Sequence, residues 1–159
     1  MKKAIVLMLA LILTMSLALP AAAAGTGSPV AEEPVPELTE TEVKTEDGIL
    51  VVVEPVAADA EELTKEETDS LAAAQKELAN AAPKGMKVQY FFFAKVTVKG
   101  EPEKEAGPVS VTLKLDKVEN AVVKQFVDGK WVELEAVVNA DGTLTIKGVV
   151  EAPMAIFTK

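Results

Sequence analysis

From Val109 onward, apolar side chains recur at every second position. Val109, Val111, Leu113 and Leu115 alternate with Ser110, Thr112, Lys114 and Asp116. Val132, Leu134, Ala136 and Val138 alternate against Glu133 and Glu135, and Leu144 and Ile146 against Thr143, Thr145 and Lys147. A period of two is that of a strand with one face buried, and it cannot line one stripe of a helix. The runs are separated by Asp128-Gly129 and by Asn139-Ala140-Asp141-Gly142. Asp-Gly suits a two-residue hairpin, whose two central residues both need positive φ. The second half of the chain is therefore a succession of short antiparallel strands.

The remaining elements extend this pattern. Ile49-Leu50-Val51-Val52-Val53 is a β-branched run ending near Pro55, and Ala121 to Val127 and Met154 to Phe157 read as further strands. Val88 to Val98 predicts a long strand whose Tyr90-Phe91-Phe92-Phe93 places rings on both faces, as expected of a central strand covered on each side. An exposed aromatic patch for a ligand is the other reading of those rings. One helix is expected between the first two long strands. Thr64-Lys65-Glu66-Glu67 fits a capping box. Leu71, Ala74, Leu78 and Ala82 form a narrow apolar stripe, and Pro83 and Gly85 end the helix. The sum is a mainly β (α+β) domain: an antiparallel β-sandwich of about seven strands with one N-terminal α-helix packed on it.

The start of the chain has a different character. Met1-Lys2-Lys3 precedes an apolar run from Ala4 to Leu19, then Pro20 and Ala21-Ala22-Ala23-Ala24. This is the layout of a signal peptide cut before Gly25, and the run falls short of the roughly 20 residues needed to span a bilayer. Residues 25–47, rich in Pro, Glu and Thr, predict a flexible acidic linker, with the globular domain at 48–159. The expected destination is secreted or extracellular, with no membrane attachment after cleavage.

Composition removes several functions. Cleavage leaves 14 lysines against 25 acids, with no Arg, His or Cys. Such a chain is a poor ligand for nucleic acid, which requires concentrated positive charge. Disulfides and Ser-His or Cys-His nucleophile pairs cannot be built. Zinc, copper and haem lose their preferred ligands, so no cofactor and no catalytic residue is expected. Asn139, Asp141 and Gly142 fall on positions 3, 5 and 6 of an EF-hand loop, but Val137 and Gly148 would then occupy positions 1 and 12. A hairpin turn accounts for these residues better.

Trp131, Glu133 and Glu135 share one face of the expected strand. They are the candidate ligand-binding residues, a ring on which a sugar could stack beside two acceptors. The structural alternative is that Trp131 caps the sandwich edge while the glutamates keep that face soluble.

Val127-Asp128-Gly129-Lys130-Trp131-Val132, Asn139-Ala140-Asp141-Gly142-Thr143-Leu144 and Ala152-Pro153-Met154-Ala155-Ile156 together resemble the end of β-sandwich modules, loosely Ig-like or ZU5-like, of exported Gram-positive bacterial proteins. This chain has Ala-Pro-Met-Ala where such modules more often have Ser-Pro-Phe-Ala. The resemblance covers roughly Gly48 to Lys159 and rests on turns and core positions. It implies a cell-surface location with no assigned activity. No sorting motif or hydrophobic tail follows the last strand, so release or noncovalent attachment is expected. The function expected is a non-enzymatic structural or binding module for an extracellular protein or cell-wall glycan. A glycoside hydrolase using two carboxylates and a secreted inhibitor or partner protein binding through the flexible arm or an exposed edge strand are the alternatives.

Overall fold

The structure, a computed structural model, describes residues 35–115 and 118–159. The expected export signal over 1–24 and the start of the expected arm lie outside the described residues. The chain forms β1 (Glu37–Leu38), β2 (Glu42–Lys44), β3 (Leu50–Ala57), α1 (Lys65–Ala81), β4 (Lys87–Val98), β5 (Val109–Lys114), β6 (Ala121–Val127), β7 (Lys130–Leu134), β8 (Ala136–Val138), β9 (Thr143–Val149) and β10 (Ala152–Thr158). All pairings are antiparallel, in a four-stranded sheet of order β1-β5-β9-β8 and a six-stranded sheet of order β2-β3-β4-β10-β6-β7. The expected sandwich is present, with the helix as a third layer on the outer face of the larger sheet.

Alternation along β4 sorts its side chains between two cores. Tyr90, Phe92, Ala94, Val96 and Val98 point between the sheets, where they meet Val51, Val53, Val111, Leu113, Ile146, Met154 and Ile156. Phe91 and Phe93 point the other way and meet Leu71, Ala74 and Ala81 of α1, with Val56, Phe126, Ala155 and Phe157. The rings of Tyr90 to Phe93 are thus buried, which removes the exposed aromatic patch. A register shift between Ile156 and Phe157 leaves Gln89 unpaired in β4 and turns Val88 onto the helix side.

Two prolines sit where the ladder can spare an N–H. The Val53 N–H points outward to the Thr41 carbonyl, so Pro55, two residues on, faces the same edge beyond the end of β2. Pro153 lies one position before the β6 ladder, which begins at Met154↔Gln125. A proline inside a strand is tolerated at such places and nowhere else.

The structure revises three expectations. Ordered structure starts before Gly48. Leu38 and Val43 pack against the inter-sheet core, and β1 and β2 close one edge of each sheet. An edge strand needs only one buried side chain while its charged neighbours face water, so the acidic composition of this segment concealed it. Gly48 itself, at φ 79°, lies inside the β2–β3 turn. The run from Val132 to Val138 is two strands: β7 belongs to the larger sheet and β8 to the smaller, with Glu135 at the crossing. Alternation continues unbroken because Leu134, Ala136 and Val138 all meet the same inter-sheet core. These additions bring the strand count from about seven to ten among the described residues. No helix among the described residues is long and apolar enough to cross a membrane.

Candidate functional site

The β6–β7 hairpin and α1 border a concave surface that includes Trp131, one of the predicted residues. Asp128 (φ 52°) and Gly129 (φ 75°) form the expected two-residue turn, and Val127 pairs with Lys130. This register sets Trp131 opposite Phe126 and Glu133 opposite Lys124, all on the helix side of the sheet. Trp131 packs edge-on to Phe126 at a centroid separation of 5.5 Å and lies 6.4 Å from Phe91. Its indole N–H donates to the Ala74 carbonyl at 3.3 Å. The small side chain of Ala74 lets the ring approach the helix backbone. Trp131 therefore ties the outer strand of the sheet to α1 while part of its ring stays accessible.

A cleft of about 400 Å³ opens beside this ring, lined by Glu77, Asn80, Lys124, Phe126, Lys130 and Trp131. Glu77 accepts a hydrogen bond from the Asn80 amide at 3.3 Å. Lys124 and Lys130 enter no ion pair or side-chain hydrogen bond among the described residues, whereas five other lysines do. On a chain with net charge −9, Lys124 on the Trp131 face and Lys130 at the cleft rim balance Glu77 and Glu133, a local exception to the acidic surroundings.

The three predicted site residues do not stay together. Trp131 lines the cleft, and Glu133 stands beside it through its cross-strand neighbour Lys124. Glu135 lies at the crossing and pairs with Lys147 of β9 at 2.6 Å, while its carbonyl accepts the Lys147 N–H. Lys124 and Lys130 were not singled out from sequence. The hairpin register could have found Lys124, since it puts that residue on the face of Trp131; Lys130 alternates to the other face and reaches the cleft only at the turn.

A second cleft of about 530 Å³ lies toward the N-terminal end of α1, lined in part by Glu66, Glu67, Ser70, Phe93, Phe126, Asp128 and Glu151. Burial would raise the Glu67 carboxyl, but hydrogen bonds from Thr64 and the nearby Lys95 amine outweigh it and hold the group below its ordinary value. The Thr64 N–H donates to Glu67 at 2.6 Å, and the Glu67 N–H donates to the Thr64 hydroxyl at 3.3 Å, completing the capping box. Asp141 is also held low, by the hydroxyl and backbone N–H of Thr143. Asn139 donates to the hydroxyls of Thr143 and Thr145, so both side chains brace the β8–β9 turn. No cluster of three or more His, Cys, Asp or Glu suited to a metal ion occurs among the described residues.

Comparison of the chain with protein-family models, with curated proteins and with solved structures gives no match.

Proposed function

We propose that this chain is an exported, non-catalytic module of the cell surface that binds a glycan carrying a carboxylate or other anionic group in the cleft beside Trp131. The observation that carries the reading is the placement of Lys124, which enters no ion pair among the described residues, on the face of the half-buried Trp131 ring in one concave site, with Lys130 at its rim. The exposed part of the Trp131 ring offers a sugar apolar contact, the Lys124 amine with Lys130 at the rim attracts an anionic substituent, and Asn80 and Glu77 can exchange hydrogen bonds with hydroxyls. A volume of about 400 Å³ is at the small end of ligand sites and suits one or two sugar rings. The leader-like N-terminus and the absence of His and Cys support the export and non-catalytic parts of this reading. A two-carboxylate hydrolase would need one acid held neutral in an apolar setting. The lowered Glu67 and Asp141 are shifted the wrong way for that role.

The test is a glycan array that includes uronic- and muramic-acid oligomers, followed by calorimetry on the hits with the protein as the cell processes it. Lys130→Glu, at an exposed position, should weaken binding about tenfold or more without unfolding the protein. Trp131→Ala should abolish binding, though it also loosens α1. The same affinity in Lys130→Glu and Lys124→Glu would end the reading. N-terminal sequencing of the secreted protein should start at Gly25; a sample that retains Met1 would refute export by cleavage.

A further inference from the structure

The two sheets end in four outer strands, and three of these are very short: β1 has two residues, and β2 and β8 have three each. Short edges limit unwanted pairing. β7, with five residues, is the exception. It also carries Val132, 47 % exposed, one of the two large apolar side chains most open to water among the described residues.

The direction of the free backbone groups follows from the turn. A two-residue turn closes on a hydrogen-bonded pair, here Val127 and Lys130, and such pairs then alternate along the hairpin. Lys130, Val132 and Leu134 therefore direct their N–H and C=O groups to β6. Trp131 and Glu133 direct theirs to the open edge, and no turn, loop or cross-sheet backbone bond of the described residues ends on them.

We propose that the β7 edge is a self-association surface. A second copy of the chain pairs its own β7 antiparallel to the first, about a two-fold axis through Val132. In that register Trp131 of each copy exchanges two backbone hydrogen bonds with Glu133 of the other, which satisfies all the outward groups. Val132 meets Val132 at a close non-hydrogen-bonded position, where Cα atoms approach to about 4.5 Å. Lys130 falls opposite Leu134 and Glu133 opposite Trp131, so no like charges face each other directly. The two Glu133 side chains are diagonal neighbours, and Lys124, already opposite Glu133 within each copy, offsets them. One register thus satisfies backbone parity, buries the exposed valine and keeps unlike groups opposed. That self-complementarity is the requirement of an isologous dimer, and it favours a second copy over an unrelated peptide. The product is a continuous twelve-stranded sheet, with the outer faces bearing α1 on the same side. A five-residue edge buries less than a standard interface, so the dimer is weak and reversible.

The cysteine-free sequence gives a direct test with the protein as the cell processes it. Val132→Cys places two unique thiols within disulfide range across the axis. Under mild oxidation it should form a covalent dimer about tenfold faster than Val137→Cys, whose equally exposed side chain lies on β8, away from the axis. In sedimentation equilibrium the unmodified protein should dimerise, and Val132→Lys should raise the dissociation constant about tenfold by setting like charges opposite each other. Cross-linking of Val132→Cys no faster than of Val137→Cys, or a dimer untouched by Val132→Lys, would overturn the proposal. So would a protein that stays monomeric while its β7 edge takes up an extended peptide.

Discussion

Gln125 is fully buried at the end of the sandwich where the chain leaves β9 for β10. Its side-chain amide accepts the Val150 N–H at 3.0 Å and donates to the Val150 carbonyl at 2.8 Å. The side chain thus takes the place of a strand where the β6 ladder has not yet begun. Gln125→Met, similar in volume, removes both bonds and leaves a partly buried N–H and C=O with incomplete solvation. At about 1 kcal/mol for each neutral bond, offset slightly by the more apolar side chain, the expected loss is about 2 kcal/mol. In a domain of this size that lowers Tm by roughly 6–10 °C. Gln125→Glu sharpens the argument. Ionised, it still accepts from Val150 N–H but sets a buried carboxylate against the Val150 carbonyl oxygen. Its folded pKa is then raised above the unfolded value of about 4.3, so the deficit is full at neutral pH and shrinks as pH falls through the raised folded value. The protonated acid can donate to the carbonyl and accept from the N–H, which restores both bonds. Urea unfolding of the three proteins between pH 7 and pH 4.5 measures this. A Met variant within about 0.5 kcal/mol of wild type, or a Glu deficit that grows on acidification, would refute the reasoning.

The other predictions concern local devices. Thr64→Ala removes the hydroxyl that caps α1 and should cost about 1 kcal/mol by denaturant titration. Because the Glu67 pKa is depressed from 4.5, its stabilisation is present above that value and lost as pH falls through the folded pKa. The stability gap between wild type and Glu67→Gln should therefore be widest near neutral pH and close in acid. Gly129→Ala meets no neighbouring atom within 4 Å but must hold φ at 75°, so its cost should be the backbone penalty of about 1 kcal/mol alone. Trp131→Phe keeps the edge-on contact with Phe126 and loses the bond to Ala74, so thermal unfolding should show a loss of about 1 kcal/mol or less. Native-state hydrogen exchange should be slowest in β4 and β10, which are paired on both sides and covered on both faces, and fastest in β1 and β2.

Local rules wrote much of the fold into the chain. The Asp128-Gly129 turn needs only two residues that tolerate positive φ, and the capping box of α1 needs only Thr64 and Glu67 three positions apart. The alternation of β5 and β9 needs only one buried face, and the unbroken apolar run of β4 announces a strand covered twice. Each is decided within a few residues, so each was legible before any partner was known. The tertiary structure alone decided the rest, because it depends on which surfaces meet. The same alternation carries Val132 to Val138 through a change of sheet, since both halves face one core. Leu38 and Val43 are too few to declare a strand until a sheet edge lies beside them. Glu135 left the neighbourhood of Trp131 at that crossing, and Lys124 arrived there from the facing strand. A sequence fixes which side of its own strand a residue occupies, but the contents of a cleft are fixed by register between strands distant in the chain.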